Sequence, residues 1–463
     1  MGRTVEFKTP PPRAPKAKVG ARQALQPRAA GSVNVAPAAE EAPAPPPTQK
    51  RPPTAELTPR RRRVRRREKR EHIVPDPCQR AEQLRLLATV LPSLEEEGSL
   101  HVHPEDEKPP SQLTRGSTLQ LGTDEQWRVS RLLGEGTFAQ VFLVTRDAER
   151  RLASLRQMRD GAMHGATEIW RRLSGGGDGT VGSAPQSAAA KVSTAPAQIW
   201  EFYVHEAIRK RVAHDEQRRF LLGLGAHAFG SPLSATVGAS ASVLLLPVCG
   251  PTLQNLLDKL TAPLPECLAL FYAMELARAL HALHAARLLH ADVKPDNVAI
   301  RAPRKGPATI DATRPLTSGE WDGYGCRLFD FGRGVDLSLY EAGTRFQGDV
   351  TADGFECMEM RRRQTWTFQV DSFALCATAH ALLHEPEKMQ LESREGRWRP
   401  REQRGDEAPR IWQRLYDEAL NVPTGGPHPN LALLASTIEA HFDAKAERRV
   451  ALKEALMQQQ SAL

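Results

Sequence analysis

Aromatic side chains are nearly missing from the first hundred residues, where Phe7 stands alone, while 19 of the 36 prolines fall in residues 1–115. Such a stretch cannot bury enough apolar surface to offset the entropy of ordering it. The sequence therefore predicts a disordered tail over residues 1–75. Roughly the last three-quarters of the chain is left to fold, enough for one large two-lobed domain. Cysteine motifs are missing too. Cys78, Cys249, Cys267, Cys326, Cys357 and Cys376 show no Cys-x-x-Cys spacing and no accompanying histidine pattern. That excludes a zinc module or disulfide framework and fits a reducing compartment. No apolar run is long enough to span a bilayer and the N-terminus has no signal-peptide core, so the chain reads as soluble and intracellular, with no membrane partner.

What is abundant is positive charge, at one end. Residues 1–75 carry 18 Lys and Arg against 6 Asp and Glu, a net of +12 in a chain of +8, which leaves −4 for everything after them. The tail, not the folded part, sets the basic balance. Its run RRRRVRRREKRE (Arg60 to Glu71) reads as a nuclear-import signal ahead of a nucleic-acid contact or a merely solvating tract. No aromatics are interleaved with the arginines, so sequence-specific nucleic-acid binding is not indicated. Residues 76–126 read as an extension with a short helix over 76–92. Leu84, Leu87, Val90 and Leu91 fall near one face of that helix, and Pro92 stops it. A helix this short is marginal alone and is expected to dock on the domain that follows. That domain spans 127–463, with a first lobe over about 127–247 and a second over about 251–456. Two polar stretches inside it, about 148–189 and 302–325, read as surface loops.

Four motifs then occur in one order. GEGTFAQV, Gly134 to Val141, lies between the strand-like WRVSRLL and VFLVTR. A glycine-rich turn between strands lets backbone amides approach phosphates, because Gly134 and Gly136 carry no Cβ. Glu135 sits between them, Phe138 would cap the turn, and Val141 would lie beneath the adenine. The third glycine of the protein-kinase loop is replaced by Ala139. The second motif, AAAKV, puts Lys191 in a short apolar strand, where an ammonium needs a counter-charge. Glu201 in QIWEFYVHEAI is the expected partner and Glu206 its competitor, with Trp200, Phe202 and Tyr203 as packing. The third, LLHADVKPDNVAI, follows a long amphipathic helix over about Pro265 to Ala285. Asp292 is placed to orient a substrate hydroxyl and accept its proton, Lys294 to balance charge on the transferring phosphoryl group, and Asn297 to hold magnesium.

Lysine two residues after the aspartate is the serine/threonine pattern. His290 reads as an anchor of this loop, and His281 and His284 as packing or surface residues. The fourth motif, CRLFDFGRGVD, sets Asp330 after an apolar strand as a second magnesium ligand, opposite Asn297. The segment LPVCG, Leu246 to Gly250, reads as a hinge, with Leu246, Val248 and Cys249 at the adenine and the sulfur of Cys249 incidental. Glu359 closes the activation segment and Asp371 starts the helix that supports the catalytic loop, although an acidic residue near a helix start also serves as a cap.

Together these predict an α+β protein-kinase fold: a small β-rich first lobe and a larger helical second lobe behind a disordered tail. The expected reaction is in-line transfer of the ATP γ-phosphoryl group, with Mg2+, to a protein serine or threonine. A pseudokinase scaffold is the alternative, and the presence of Lys191, Asp292, Lys294, Asn297 and Asp330 argues against it. The Lys-Pro-Asp-Asn loop argues against a kinase of small molecules.

From Trp127 onward the sequence resembles the Bub mitotic spindle-checkpoint serine/threonine kinases. The resemblance rests on GEGTFAQV with its alanine, on KVSTAPAQIWEFYV, on GTRFQGDVTADGFECMEM and on WQRLYDEALNVP. It favours Glu201 over Glu206. It implies an ATP- and magnesium-dependent kinase of the nucleus, acting at kinetochores and centromeric chromatin in mitosis. The implied substrate is a nucleosomal histone tail, the implied partner is a second Bub-family protein, and an N-terminal extension is expected to pack on the kinase lobe. The helical-repeat domain, partner-binding segment and Lys-Glu-Asn boxes common in that family are not found here. The catalytic loop also reads His-Ala-Asp, with Ala291 where most kinases have arginine. Without that guanidinium no ready clamp exists for an activation-loop phosphate, and activity is expected not to require one.

Overall fold

The computed structural model describes residues 72–463, apart from 105–106, 108–109, 111, 123–124, 137–138, 147–185, 195–196, 234–239, 261–262, 304–305, 385–388, 403 and 424–427. The arginine run, Phe138 and nearly all of the 148–189 stretch lie outside the described residues.

The first lobe is built on one seven-stranded sheet, ordered β2-β7-β8-β6-β5-β4-β3. Its strands are β2 (Leu100–His103), β3 (Thr118–Gln120), β4 (Gln126–Glu135), β5 (Gln140–Thr145), β6 (Ser187–Ser193), β7 (Gly225–Phe229) and β8 (Ala241–Leu246). Period-two alternation turns Trp127, Val129, Phe142 and Val144 to one face, where they close a core with Leu119, Ala188 and Ala190. Both edge strands come from residues ahead of Trp127, so the lobe begins earlier than the sequence suggested. At four and three residues they are too short to show a period. The end of the supposed 148–189 loop is likewise sheet, with Ala188, Ala189 and Ala190 buried in β6 between β5 and β8.

Among the described residues, two helices pack on this sheet. Helix α1 (Arg80–Glu96) starts and ends four residues later than expected and contains Pro92 instead of stopping at it. It buries Gln83, Leu86, Leu87, Leu91 and Leu94 toward α2 (Ile199–Arg211), whereas Leu84 and Val90 are only partly covered. Ahead of α1, Ile73–Val74 (β1) pairs in parallel with Arg345–Phe346 (β13) of the activation segment, so the end of the expected tail is ordered.

The second lobe is helical. Helix α3 (Leu253–Lys259) opens on a capping box made by Thr252 and Asn255. Helix α4 (Glu266–Ala285) is buried on nearly every face rather than amphipathic. The catalytic strands follow: β9 (Leu288–Leu289) pairs antiparallel with β12 (Val335–Asp336), and β10 (Val298–Arg301) with β11 (Gly325–Leu328). Helices α5 (Met358–Arg361), α6 (Gln369–Leu383), α7 (Pro409–Ala419), α8 (Leu431–Asp443) and α9 (Ala446–Ala462) complete it.

The segment joining β10 to β11 is not the surface loop that the sequence suggested. Ile310, Ala312, Leu316, Trp321 and Tyr324 are buried in the lobe's core. Arg449 and Lys453 of α9 donate to the carbonyls of Ala312, Thr313 and Ile310, and Asp443 accepts from the Leu316 amide. Its apolar residues follow no regular period, which is why the stretch reads as loop.

Candidate active site

The glycine-rich turn lies at the tip of the β4–β5 hairpin. Gly134 pairs with Val141 and Glu135 with Gln140, and the Gly136 amide donates to the Ala139 carbonyl at 2.8 Å. The Glu135 carboxylate accepts from Gln140 Nε2 at 3.2 Å. A Cβ at Gly134 would meet nothing within 4 Å, so this face of the turn is open. Across the sheet Val141 pairs with Lys191, which places both over one cleft. Leu246 ends β8 opposite Ala189, while Val248 is exposed and Cys249 half-buried in the strand-to-helix connection that follows.

Lys191 joins two carboxylates. Its Nζ lies 2.7 Å from Glu201 Oε2 and 2.8 Å from Asp330 Oδ1. Burial works against the ammonium charge, but the two carboxylates outweigh it and hold Lys191 above the usual lysine range. Burial also opposes ionisation of Asp330, and Lys191 reverses that, so its carboxyl lies below the usual range. Asp330 has a left-handed backbone, φ 63°, an uncommon state for a non-glycine residue and one that collects at functional sites. Glu206 pairs with Arg209 instead.

The catalytic loop is suspended from one buried carboxylate. Asp371, at the start of α6, accepts from the amides of His290 and Ala291 at 2.9 and 2.8 Å, and lies 3.0 Å from His284 Nε2. This gives His284 a partner that its helical setting did not reveal. His290 Nδ1 accepts from the Asp292 amide, which makes Nε2–H the donor to the Phe329 carbonyl at 3.1 Å. Within the loop Asp292 Oδ2 accepts from Lys294 Nζ and from Asn297 Nδ2, both at 3.0 Å. Asp292 Oδ1 is buried without a hydrogen-bond partner. Asn297 uses its amide nitrogen on Asp292, and its oxygen is the atom left to offer a cation. Two oxygen donors, Asn297 and Asp330, with an orphaned carboxylate oxygen beside them suit a hard divalent ion.

Several contacts were not legible in the sequence. Gln83 of α1 donates to the Gly332 carbonyl at 2.9 Å, Arg80 to Ala197, and the Cys78 thiol to Arg333. Trp200 and Tyr203, taken as packing, use their polar ends as well: the indole N–H donates to the Gly334 carbonyl and the phenol O–H to Asp336. The Arg333 guanidinium reaches to 4.0 Å from Asp292 Oδ1. These pairs lie far apart in the chain, and only the lone apolar-face glutamine of α1 hinted at them.

No family model matches the chain. It is 31% identical over 209 residues to the mitotic checkpoint serine/threonine-protein kinase BUB1 of Arabidopsis thaliana, covering 44% of this chain and 38% of that protein. It is 27% identical over 314 residues to the BUB1 of Mus musculus, covering 67% of this chain and 25% of that one. Its fold matches the crystal structure of the BubR1 kinase domain with a TM-score of 0.62 at 20% identity, over 84% of this chain and 99% of that one. The chain is thus similar in sequence to the BUB1 checkpoint kinases and shares the fold of the BubR1 kinase domain. It spans well under half the length of these curated relatives. Here the two-lobed domain is joined to the extension ahead of it, since β1 pairs with Arg345–Phe346 and α1 reaches the Gly332 carbonyl. No helix among the described residues is long and apolar enough to cross a membrane.

Proposed function

We propose that this chain is an ATP-dependent serine/threonine protein kinase of the mitotic spindle checkpoint. The observation that carries the reading is the state of Asp292. One carboxylate oxygen is held by Lys294 and Asn297, and the other is buried without a hydrogen bond, with only the Arg333 guanidinium at 4.0 Å, while Lys191, Glu201 and Asp330 form a closed cluster. An oxygen in that state is ready to accept a hydroxyl proton from a substrate side chain.

Bound ATP and magnesium supply the electrophilic phosphoryl group and the cation that neutralises its oxygens. The residues of the chain position them. The backbone of the glycine-rich turn, from Gly134 through Glu135 to Gly136, covers the phosphates. Lys191, oriented by Glu201, grips the α- and β-phosphates. Val141 and Leu246 hold the base, with the backbone at Val248 and Cys249 pairing its edge. Asn297 and Asp330 are the metal ligands, and Lys294 balances charge on the group in flight. Asp292 orients the hydroxyl and takes its proton. Catalysis is then chiefly positioning and charge neutralisation.

The substrate class we propose is a nucleosomal histone tail, acted on at kinetochores and centromeric chromatin within the nucleus, with a second Bub-family protein as partner. The support is the family relationship, together with the basic run at Arg60–Glu71 as an import signal. The test is phosphate transfer from labelled ATP to nucleosomes and to myelin basic protein, comparing wild type with Asp292→Asn. Transfer to the histone tail that vanishes in the variant is the expected result. Transfer only to the generic protein removes the substrate assignment. Nucleotide binding without any transfer leaves a scaffold in place of an enzyme.

A further inference from the structure

Many kinases order the start of the activation segment with a phosphate held by arginines, and this chain has Ala291 where the usual catalytic-loop arginine would stand. The segment is nonetheless tied down, and a carboxylate does the tying. Asp336, six residues past Asp330, is fully buried in β12. Its Oδ2 accepts from Arg211 Nη2 at 2.7 Å and from the Tyr203 hydroxyl at 2.5 Å. Its Oδ1 accepts from Arg211 Nη1 at 2.8 Å, from the Ser338 amide at 2.8 Å and from the Ser338 hydroxyl at 2.6 Å. Five donors therefore fill the acceptor capacity of one carboxylate. The Arg211 contact is the two-pronged fork that guanidinium makes equally well with carboxylate or phosphate.

This knot joins three parts of the site. Arg211 and Tyr203 belong to α2, the helix that carries Glu201. Asp336 belongs to the segment that leaves Asp330. The Arg287 carbonyl and guanidinium, in the turn before the catalytic loop, bond the Leu337 amide and carbonyl at 2.9 and 2.8 Å. Trp200 fixes the other end of α2 through the Gly334 carbonyl at 2.8 Å. With both ends of α2 bonded to one short stretch of backbone, Glu201 has little freedom to leave Lys191. Burial opposes the Asp336 charge, but the hydrogen bonds from Arg211, Ser338 and Tyr203 outweigh it and hold the carboxyl below the usual aspartate range.

We propose that Asp336 is a built-in stand-in for an activation-segment phosphate: with Arg211 it holds α2 and the segment after Asp330 in catalytic register, so the kinase works unphosphorylated. The inference rests on the kinase reading above and names the regulation of that same site. Asp336 and Arg211 are positioning residues that act through Glu201 and Lys191. A modified residue can be switched by a phosphatase, whereas this charge is encoded. Control must then come from loosening the knot, or from outside it.

The experiment uses the full chain, treated with a broad phosphatase and checked for loss of phosphate by mass spectrometry. Phosphate transfer to myelin basic protein gives kcat and KM, and a melting curve gives the folded fraction. Phosphatase-treated wild type should keep its kcat within twofold. Arg211→Lys keeps the charge but loses the fork, on a side chain that is partly exposed. It should lower kcat per folded molecule by about tenfold or more, in line with the cost of small misplacements in an active site. KM for the protein substrate should stay within threefold. Asp336→Asn should do the same or worse, and Asp336→Glu should regain part of the loss, which general destabilisation would not produce. Hydrogen exchange over residues 335–346 should quicken in both loss variants. A tenfold loss on phosphatase treatment alone overturns the proposal. So does a folded Arg211→Lys that keeps kcat within twofold. No transfer by untreated wild type would overturn the kinase reading itself, and it is recognised before any substitution is made.

Discussion

Replacing Gln83 by leucine tests how far the extension sets the active site. The side chain is 5% exposed, and its Nε2 donates to the Gly332 carbonyl at 2.9 Å, one residue from the Asp330–Phe331 pair. Leucine is close in volume and keeps the helix, so the change removes a donor and little else. A partly buried carbonyl left without its partner costs at most about 1–3 kcal/mol. That cost falls only on the arrangement in which Gly332 faces α1, so the population of that arrangement drops by about 5- to 150-fold relative to its competitors. Steady-state phosphate transfer at saturating ATP should therefore show a fall in kcat of up to that factor in protein that is still folded. Arg85→Ala, which removes only the exposed pair with Glu82 at 2.7 Å, is the control. It should change kcat by less than about twofold, because such pairs contribute only about 0.2–0.5 kcal/mol. If Gln83→Leu retained full kcat while folded, the extension would be a passive neighbour of the activation segment and the reasoning would fail.

Glu201→Gln breaks the 2.7 Å pair with Lys191 on its buried side. Allowing for the partial exposure of the lysine, about 2–3 kcal/mol is lost, seen as roughly a 30- to 150-fold fall in kcat/KM. Trp321→Ala empties a site that is 3% exposed in the segment joining β10 to β11. Urea unfolding should show a loss of about 3–5 kcal/mol, against less than about 0.5 kcal/mol if that segment were a surface loop. His380 has its pKa lowered from the usual histidine value of about 6.5 to about 4 by burial and by His384, stacked at 4.0 Å. The folded state is thus short of a proton between those values. Stability is unaffected above pH 6.5 and falls as pH drops toward 4, by no more than about 3 kcal/mol in total. His380→Gln should flatten that limb in pH-dependent denaturation, and an unchanged limb would assign the acid loss to other groups.

The site was more legible in the sequence than the frame around it. Lys191, Asp292, Asn297 and Asp330 were singled out by the order of their motifs, and the structure pairs Lys191 with Asp330 and Asn297 with Asp292. The choice of Glu201 over Glu206 needed the family likeness, since both carboxylates are buried and only geometry shows that Glu206 turns to Arg209. Asp336 passed unnoticed because its partners Tyr203 and Arg211 lie 133 and 125 residues away, and a hydrogen bond over that distance leaves no local pattern. Pro92 was read as a stop because proline removes an interior helix bond. It lies on the exposed face of α1, where water can serve the Ala88 carbonyl that it leaves free. Strands β2 and β3 were missed for their brevity, and both are decisive for the sheet.

Those two strands also fix where the chain can be cut. The sheet order puts Leu100–His103 at one edge and Thr118–Gln120 at the other, so both borders of the first lobe are supplied by residues ahead of Trp127. A protein shortened to begin at Trp127 would keep every catalytic side chain. It would also bare the backbone of β7 along one edge and of β4 along the other, and uncover the apolar bed on which Leu119 and Leu121 lie. Two open, flat edges on one small sheet invite pairing between molecules. The smallest piece of this chain that stays dispersed in solution should therefore start near His72, well before the glycine-rich turn at Gly134.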